Sequence, residues 1–342
     1  MPLKVLYPDA QFEGEPTIEA QVFGSRATLC VYRPREIASI SDEMWRTCDA
    51  IVCYHDLMLD DTLVPRLERC RLIVRAGVGF DQIAIAACAV HGIPVCNTPD
   101  YGTTDVADHA IGLTLALARG IVAYHVALKT DLGTGWDFAA PPTIRRLSGR
   151  VFGVVGLGRI GTATSLRAKA LGMQVVFFDP YRPTGTELAL GLTRVGSLTE
   201  LLGLADVVSL HTPLSDETTG MIDRAALSRM KPGALLINTA RGPIVDPDAV
   251  LEGLRSGQLG GAALDVLPVE PPVGDEPLLV AWRNGDPALA SRLILSPHAA
   301  FYSADSLGDL RRKSAEIAVD YLFSGRLRDC VNGLDLPGGK RR

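Results

Sequence analysis

The feature that most constrains this chain is Gly156-Leu157-Gly158-Arg159-Ile160-Gly161, set directly after the apolar, β-branched run 151–155 and directly before a helical run at 162–171. A G-x-G-x-x-G by itself says little, because glycines also build tight turns that bind nothing. Between a strand and a helix each glycine has a use. The first makes the turn, the second lets backbone approach a pyrophosphate, and the third lets helix and strand pack closely. The helix N-terminus then offers N–H groups to the anion. The next apolar run, 174–179, ends in Asp179, whose carboxylate can accept the ribose hydroxyls and would repel a 2′-phosphate. The reading is a dinucleotide site preferring NAD to NADP, with nearby Arg182 leaving room for some NADP.

The surroundings of this turn read as α/β. With 342 residues the chain is about twice the ~150-residue length expected of one domain, so two are expected. Short β-branched runs at 4–7, 28–32, 50–54, 72–75 and 94–97 alternate with helical segments such as 62–68 and 82–90, giving one parallel-sheet unit. A long helix is expected over 104–129, with Thr103 or Thr104 as N-cap and Asp105 and Asp108 in its first turn, where carboxylates favour the helix dipole. It is apolar on most faces, so a second domain or a second subunit is expected to cover it. The strand rhythm restarts at 151 and continues through 174–179, 207–211, 234–238, 261–265 and 293–296, and a last helix over 303–323 is expected to cross back to the first unit.

Composition narrows the class. The chain is 47% hydrophobic and 21% charged, as globular proteins are, and its net charge of −5 comes with no basic stripe apart from the closing Lys340, Arg341 and Arg342, so nucleic acid is not an expected partner. The apolar region 111–128 is interrupted by Arg119 and reads as a buried helix, not a membrane span. The N-terminal residues lack the apolar core of a secretory signal and read as a first strand. Seven scattered cysteines (Cys30, Cys48, Cys53, Cys70, Cys88, Cys96 and Cys330) contain no C-x-x-C. They read as reduced structural thiols of a cytoplasmic protein, with no metal cluster. The remaining histidines, His55, His91, His109, His125 and His211, show no metal spacing and read as structural, with His211 a candidate lining of the cofactor groove.

Three further residues stand at strand ends, where open α/β sheets place ligands: Arg241 in INTARG, Glu270 in ALDVLPVEP and His298 in LSPHAAFYS. Singly they read as a surface cation, a loop acid and a turn histidine. As a set, in this order, they belong to a longer pattern. IVRAGVGFD (73–81), CNTP (96–99), VADHAIGL (106–113), GVVGLGRIG (153–161), FFDPY (177–181), LHTPL (210–214), INTARG (237–242), AALDV (262–266) and SPHAA (296–300) together resemble the D-isomer-specific 2-hydroxyacid dehydrogenases over nearly the whole chain. FFDPY, NTARG, AALDV, HAAFYS and CVNG look most like the C-terminal binding protein and phosphoglycerate dehydrogenase branch, although Phe301 stands where a Trp commonly follows HAA.

The resemblance implies two Rossmann-like, doubly wound parallel-sheet domains: a discontinuous, flavodoxin-like substrate domain at 1–101 plus 301–342, and an NAD-binding domain at 102–300, with hinges near Pro99 and Ala300. It implies Arg241, Glu270 and His298 as the catalytic set, and Arg75, Ala76 and Gly77 as the substrate-carboxylate loop. Contacts to NAD are implied for Val78, Gly156, Gly158, Arg159, Ile160, Gly161, Asp179, Thr212, Pro213, Thr239, Ala240, Asp265 and Ala300, with Asp265 on the carboxamide. The implied activity is interconversion of a 2-oxo acid and a D-2-hydroxy acid by a homodimer.

These residue types suit that chemistry. Carbonyl reduction needs a hydride at carbon and a proton at oxygen; histidines change charge near neutral pH and can move such a proton either way. A carboxylate on the other ring nitrogen orients the imidazole, and an arginine fork pairs with a carboxylate while polarising the adjacent carbonyl. Formate dehydrogenases of the same superfamily carry Gln where Glu270 stands, which argues against formate. Phosphite dehydrogenases keep the Arg, Glu and His set and stay an alternative, as does an NAD(H)-responsive interaction protein.

Overall fold

Each short apolar run carries apolar side chains on both of its faces, so each strand has to be covered twice. The computed structural model describes residues 2–139 and 144–334 and divides into two compact units, one within Met1–Gly102 and Tyr302–Arg342, the other Thr103–Phe301. Each boundary falls one residue beyond the expected one. Lys340, Arg341 and Arg342, the basic cluster noted above, lie outside the described residues.

The first unit holds β1 (Leu3–Tyr7), β2 (Ala27–Val31), β3 (Ala50–Cys53), β4 (Ile73–Arg75) and β5 (Val95–Asn97), all parallel in the order β2-β1-β3-β4-β5. Alternation along the strands separates two cores. Val5, Tyr7, Val52 and Val74 pack with Phe23 and with Leu310, Ile317 and Leu322 of the helix Ala304–Ser324. Leu6, Ile51, Cys53, Ile73 and Val95 pack on the other face with Trp45 and Leu59. That last helix starts at a Ser303 cap, as a chain crossing back after 300 should, and its Arg311 grips buried Glu19 of the helix Thr17–Phe23 through Nε (2.8 Å) and Nη2 (2.7 Å).

The second unit holds β6 (Val151–Val155), β7 (Gln174–Phe178), β8 (Thr193–Arg194), β9 (Val207–Leu210), β10 (Ala234–Asn238), β11 (Leu259–Leu264) and β12 (Leu293–Leu295). Their order is β12-β11-β10-β9-β6-β7-β8, again parallel, so the order reverses between β6 and β9 and opens a crevice beyond the carboxyl ends of those strands. Phe152, Val154, Phe177, Val207, Leu235 and Ile237 pack against Ala110, Leu113 and Leu117 of the helix Thr103–Ala118.

Two helical expectations are corrected. The helix over 104–129 is two helices, Thr103–Ala118 and Ile121–Thr130, bent by 56° where Gly120 takes φ +62°. The first is covered by its own unit's sheet, needing neither second domain nor subunit; the second buries none of its residues and exposes Ile121, Val122 and Val126. The segment 62–68 is not an α-helix: only Val64–Arg66 forms a single 3-10 turn around Pro65, with Asp60 accepting the Thr62 and Leu63 N–H groups ahead of it. The helices Thr17–Phe23 and Asp42–Thr47 were not anticipated, and the latter is capped by Ser41, whose Oγ accepts the Met44 N–H at 3.2 Å. Among the described residues no single helix is long and apolar enough to cross a membrane.

Candidate active site

The glycine turn follows β6 as the sequence requires, and each glycine answers to a measurable constraint. Gly156 has φ +88°, and a Cβ there would lie 2.9 Å from the His211 backbone at the end of β9. A Cβ on Gly161 would lie 2.1 Å from Gly156 O, so this glycine allows the helix Arg159–Ala170 to start against the turn. A Cβ on Gly158 would meet nothing closer than Arg182 at 3.8 Å, so the protein's own packing does not demand that glycine. It keeps the helix mouth open to an outside group. Arg159, exposed, and Ile160, half-buried, form the first turn of that helix.

Asp179 lies just past β7 and is held from both sides: the Leu157 N–H donates to Oδ2 at 2.8 Å and the Tyr181 N–H to Oδ1 at 2.9 Å, with Arg182 Nε at 3.5 Å. Thr212 and Pro213 follow β9, Thr239 and Ala240 follow β10, and all stand at carboxyl ends of strands. Among the described residues Thr212 Oγ1 and Thr239 Oγ1 are buried with no hydrogen-bond partner, an expensive state unless a ligand supplies one. An open glycine mouth, an oriented carboxylate and two unspent hydroxyls around one crevice fit a dinucleotide.

The β10 loop is shaped by Asn238, a residue the sequence reading did not single out. Buried Asn238 accepts the Ala240 N–H at 3.0 Å and donates to the Arg241 carbonyl at 2.9 Å, fixing the turn into Arg241, whose Nη1 donates to the Ala240 carbonyl at 2.7 Å. The next residue must be glycine, since a Cβ on Gly242 would sit 1.9 Å from the Leu267 backbone carbon. That contact seats the Arg241 loop against the loop carrying Glu270.

Glu270 and His298 meet directly. Glu270 Oε2 lies 2.6 Å from His298 Nδ1, while Oε1 accepts the Leu267 N–H at 2.8 Å, so the carboxylate is fixed at both oxygens. Burial raises the Glu270 carboxyl, but the hydrogen bond and charge of His298, the Leu267 N–H and the charge of Arg241 together outweigh it and hold it below its ordinary value. Both side chains are about a third exposed, 33% for His298 and 35% for Glu270, so they are reachable from outside. The His298 ring also meets Phe301 edge-on, with centroids 6.1 Å apart.

His298 has φ +52°, a left-handed backbone unusual for a residue with a Cβ, which persists only where its surroundings enforce it. Asp265, 2% exposed at the end of β11, enforces it. Its carbonyl accepts the His298 N–H at 2.7 Å, and its carboxylate accepts the Ala299 and Ala300 N–H groups at 2.9 Å each and the Ser296 hydroxyl at 2.6 Å. His109 Nε2 braces Ser296 Oγ at 3.1 Å. Ser296 is a further residue the sequence reading left unassigned, while His109, read as structural, takes a structural place behind it. The carboxylate expected on a carboxamide thus has a first duty in shaping the histidine loop.

Arg75, Ala76, Gly77 and Val78 belong to the other unit, at the end of β4. Arg75 is buried, with Nη1 donating to the Ala76 carbonyl; Gly77, at φ +150°, could not carry a Cβ without striking that guanidinium. Thr98 and Asn97 hold this loop by donating to the carbonyls of Arg75 (3.1 Å) and Val78 (2.7 Å). Among the described residues no group of three or more His, Cys, Asp or Glu side chains is placed to hold a metal.

Residues 111–300, more than half of the chain, match the family model "D-isomer specific 2-hydroxyacid dehydrogenase, NAD binding domain". The chain is 35% identical over 285 residues to a glyoxylate reductase of Korarchaeum cryptofilum, covering 82% of this chain and 81% of that protein. It is 36% identical over 251 residues to the D-3-phosphoglycerate dehydrogenase of Bacillus subtilis, covering 72% of this chain but only 47% of that longer protein. The crystal structure of the D-lactate dehydrogenase from Aquifex aeolicus, complexed with NAD and lactic acid, superposes with a TM-score of 0.83 at 26% identity, covering 97% of this chain and all of that one (100%). NAD is therefore the cofactor of the second unit, in keeping with the fit of its crevice. The chain belongs to the D-isomer specific 2-hydroxyacid dehydrogenase family.

Proposed function

We propose that this protein interconverts a short 2-oxo acid and the corresponding D-2-hydroxy acid. The observation that carries the proposal is the 2.6 Å contact between His298 Nδ1 and Glu270 Oε2 on a loop enforced by Asp265. Gly156, Gly158, Gly161, Arg159, Ile160, Asp179, Thr212, Pro213, Thr239 and Ala240 would hold the NAD, which when bound supplies or accepts the hydride. The chain's own residues do the rest. With Nδ1 engaged by Glu270, proton transfer to or from the substrate oxygen runs through Nε2 of His298. Glu270 fixes the ring's orientation and balances its positive charge. Arg241 pairs with the substrate carboxylate and stabilises negative charge developing on the adjacent carbonyl oxygen. By the resemblance, Ala300 would border the nicotinamide, and Arg75 with the backbone of Ala76, Gly77 and Val78 keeps the role expected of its loop.

Relatives named glyoxylate reductase, D-lactate dehydrogenase and D-3-phosphoglycerate dehydrogenase support a small 2-oxo or 2-hydroxy acid as the substrate class. NADH oxidation measured over a panel of such acids tests this: turnover of at least one is expected, and a protein that binds NADH yet is inert with every acid overturns it. We further propose a homodimer that covers Ile121, Val122 and Val126, the exposed apolar residues of the second unit's bent helix. A dilution-stable monomer on gel filtration would contradict that.

A further inference from the structure

The first unit carries a pair of thiols that the reaction does not use. After the helix Ala304–Ser324 the chain returns along the outer edge of β5, where the Asn97 N–H donates to the Asp329 carbonyl at 3.1 Å and the Val331 N–H to the Val95 carbonyl at 2.8 Å. Asn332 extends the grip, accepting the Val95 N–H at 3.1 Å and donating to the Ile93 carbonyl at 2.9 Å. The two backbone bonds bracket Cys96 and Cys330, which form an antiparallel bridge between them. This bracketing defines a non-hydrogen-bonded pair, the register in which opposed Cα atoms approach to about 4.5 Å and side chains are closest. Disulfides span Cα separations of roughly 4.4–6.8 Å. Cys96 is fully buried and Cys330 half-buried, so one sulfur can be reached and the other lies behind it.

We propose that Cys96 and Cys330 form a reversible dithiol–disulfide site that clasps the C-terminal segment to β5. The two thiols are chemically unequal in the way such a site needs. The hydrogen bond from Cys96 lowers the Cys330 thiol to about 6, against burial that raises it. Cys96 is raised by the same hydrogen bond and by burial. Cys330 is thus the nucleophile and Cys96 the proton-bearing partner.

With a small-molecule disulfide as oxidant, the Cys330 thiolate attacks one sulfur, forming a mixed disulfide and releasing one small thiolate that takes up a proton from solvent. Cys96 then loses its proton and attacks Cys330 Sγ, breaking the mixed disulfide and releasing the second small thiol. Two protein thiols are oxidised by two electrons and one small disulfide is reduced to two thiols. Cys48 and Cys70 also touch, but both are buried, and the hydrogen bond to Cys48 together with burial raises Cys70, so that pair has no comparable entry. The clasp has a structural reach: Asn97 and Thr98, next to Cys96, hold the Arg75–Val78 loop, and the chain between the two cysteines runs through the whole second unit.

The test treats the reduced full chain with oxidised glutathione at neutral pH, quenches in acid, alkylates, and reads intact mass and linked peptides. The expected product is lighter by two hydrogen atoms, carries a Cys96–Cys330 linked peptide, melts at a higher temperature and reverts with dithiothreitol. Cys330→Ala is expected to leave Cys96 without a linked peptide and unmodified by glutathione, because the entry thiol is gone, and Cys96→Ala to trap a persistent single glutathione adduct on Cys330. A lasting adduct on wild-type Cys330, a different linked pair, or a Cys330 that stays alkylatable overturns the proposal, and because these are wild-type readouts they decide it even where a variant fails to fold.

Discussion

Where strand order reverses between β6 and β9, the second unit leaves its groups unspent: an open glycine mouth and the buried, unpartnered hydroxyls of Thr212 and Thr239. Where it reverses between β1 and β3, the first unit fills its own corresponding crevice with a carboxylate. Asp9, fully buried, accepts the N–H groups of Tyr54 (2.8 Å), Asp56 (3.1 Å) and Leu57 (2.9 Å), which in the other unit's logic would have served a ligand. Burial raises the Asp9 carboxyl despite the Tyr54 and Leu57 N–H groups that lower it. Doubly wound topology offers a crevice at each reversal, and the donors left unpaired decide which one binds.

The sharpest way to break this division is to injure one unit and read the other. Glu19→Ala leaves Arg311 half-sequestered without its carboxylate, stacked 3.7 Å above Phe12, and is expected to cost the first unit about 3–5 kcal/mol. Hydrogen exchange read peptide by peptide should show that loss within the first unit while NADH affinity stays within about twofold; an equal loss in both would merge the units energetically. Arg241→Lys keeps the charge but removes the fork, and is expected to cost about 2–4 kcal/mol in kcat/KM, with KM raised as well as kcat lowered. If NADH binding falls in parallel, the loop seated by Asn238 and Gly242 has misfolded instead.

Asp179→Ala is expected to weaken NADH by about tenfold, near 1.4 kcal/mol, and NADPH much less, so that the preference narrows. Unchanged discrimination in paired titrations would show that the acid serves only the Leu157 and Tyr181 amides. The smallest effect at neutral pH belongs to His211, where burial pushes the ring down to about 4. Its unfolded value is 6.5, so folding excludes a proton; its contribution is whole above about pH 6.5 and is lost as pH falls toward 4. His211→Gln should flatten the decline of the urea midpoint between those values, and an unaltered slope would assign that acid sensitivity to other groups.

The strands other than β8, a two-residue edge strand at Thr193–Arg194, were legible as short apolar runs, and the glycine turn because strand, turn, helix and acid are contiguous in sequence. The helix break at Gly120 was not, since apolar periodicity continues on both sides of it and only the left-handed glycine reveals the bend. Positions that act through long-range contacts escaped as well: Asn238 under Arg241, Ser296 behind His298, and Glu19 opposite Arg311. Asp265 was legible as a site residue but not in its structural duty, because its partners follow it by some thirty positions. Cys96 and Cys330 read as scattered thiols for the same reason; nothing in their spacing announces an antiparallel bridge.

The most direct test of the central claim sets His298→Gln beside the wild type, measuring NADH affinity by fluorescence and turnover of the best 2-oxo acid by absorbance. Unchanged NADH affinity is expected, with turnover lowered about 10²–10⁴-fold, the range a positioned acid–base group contributes. A variant that still turns over within tenfold of wild type, with NADH bound as tightly, would show that the proton at the substrate oxygen does not come from His298.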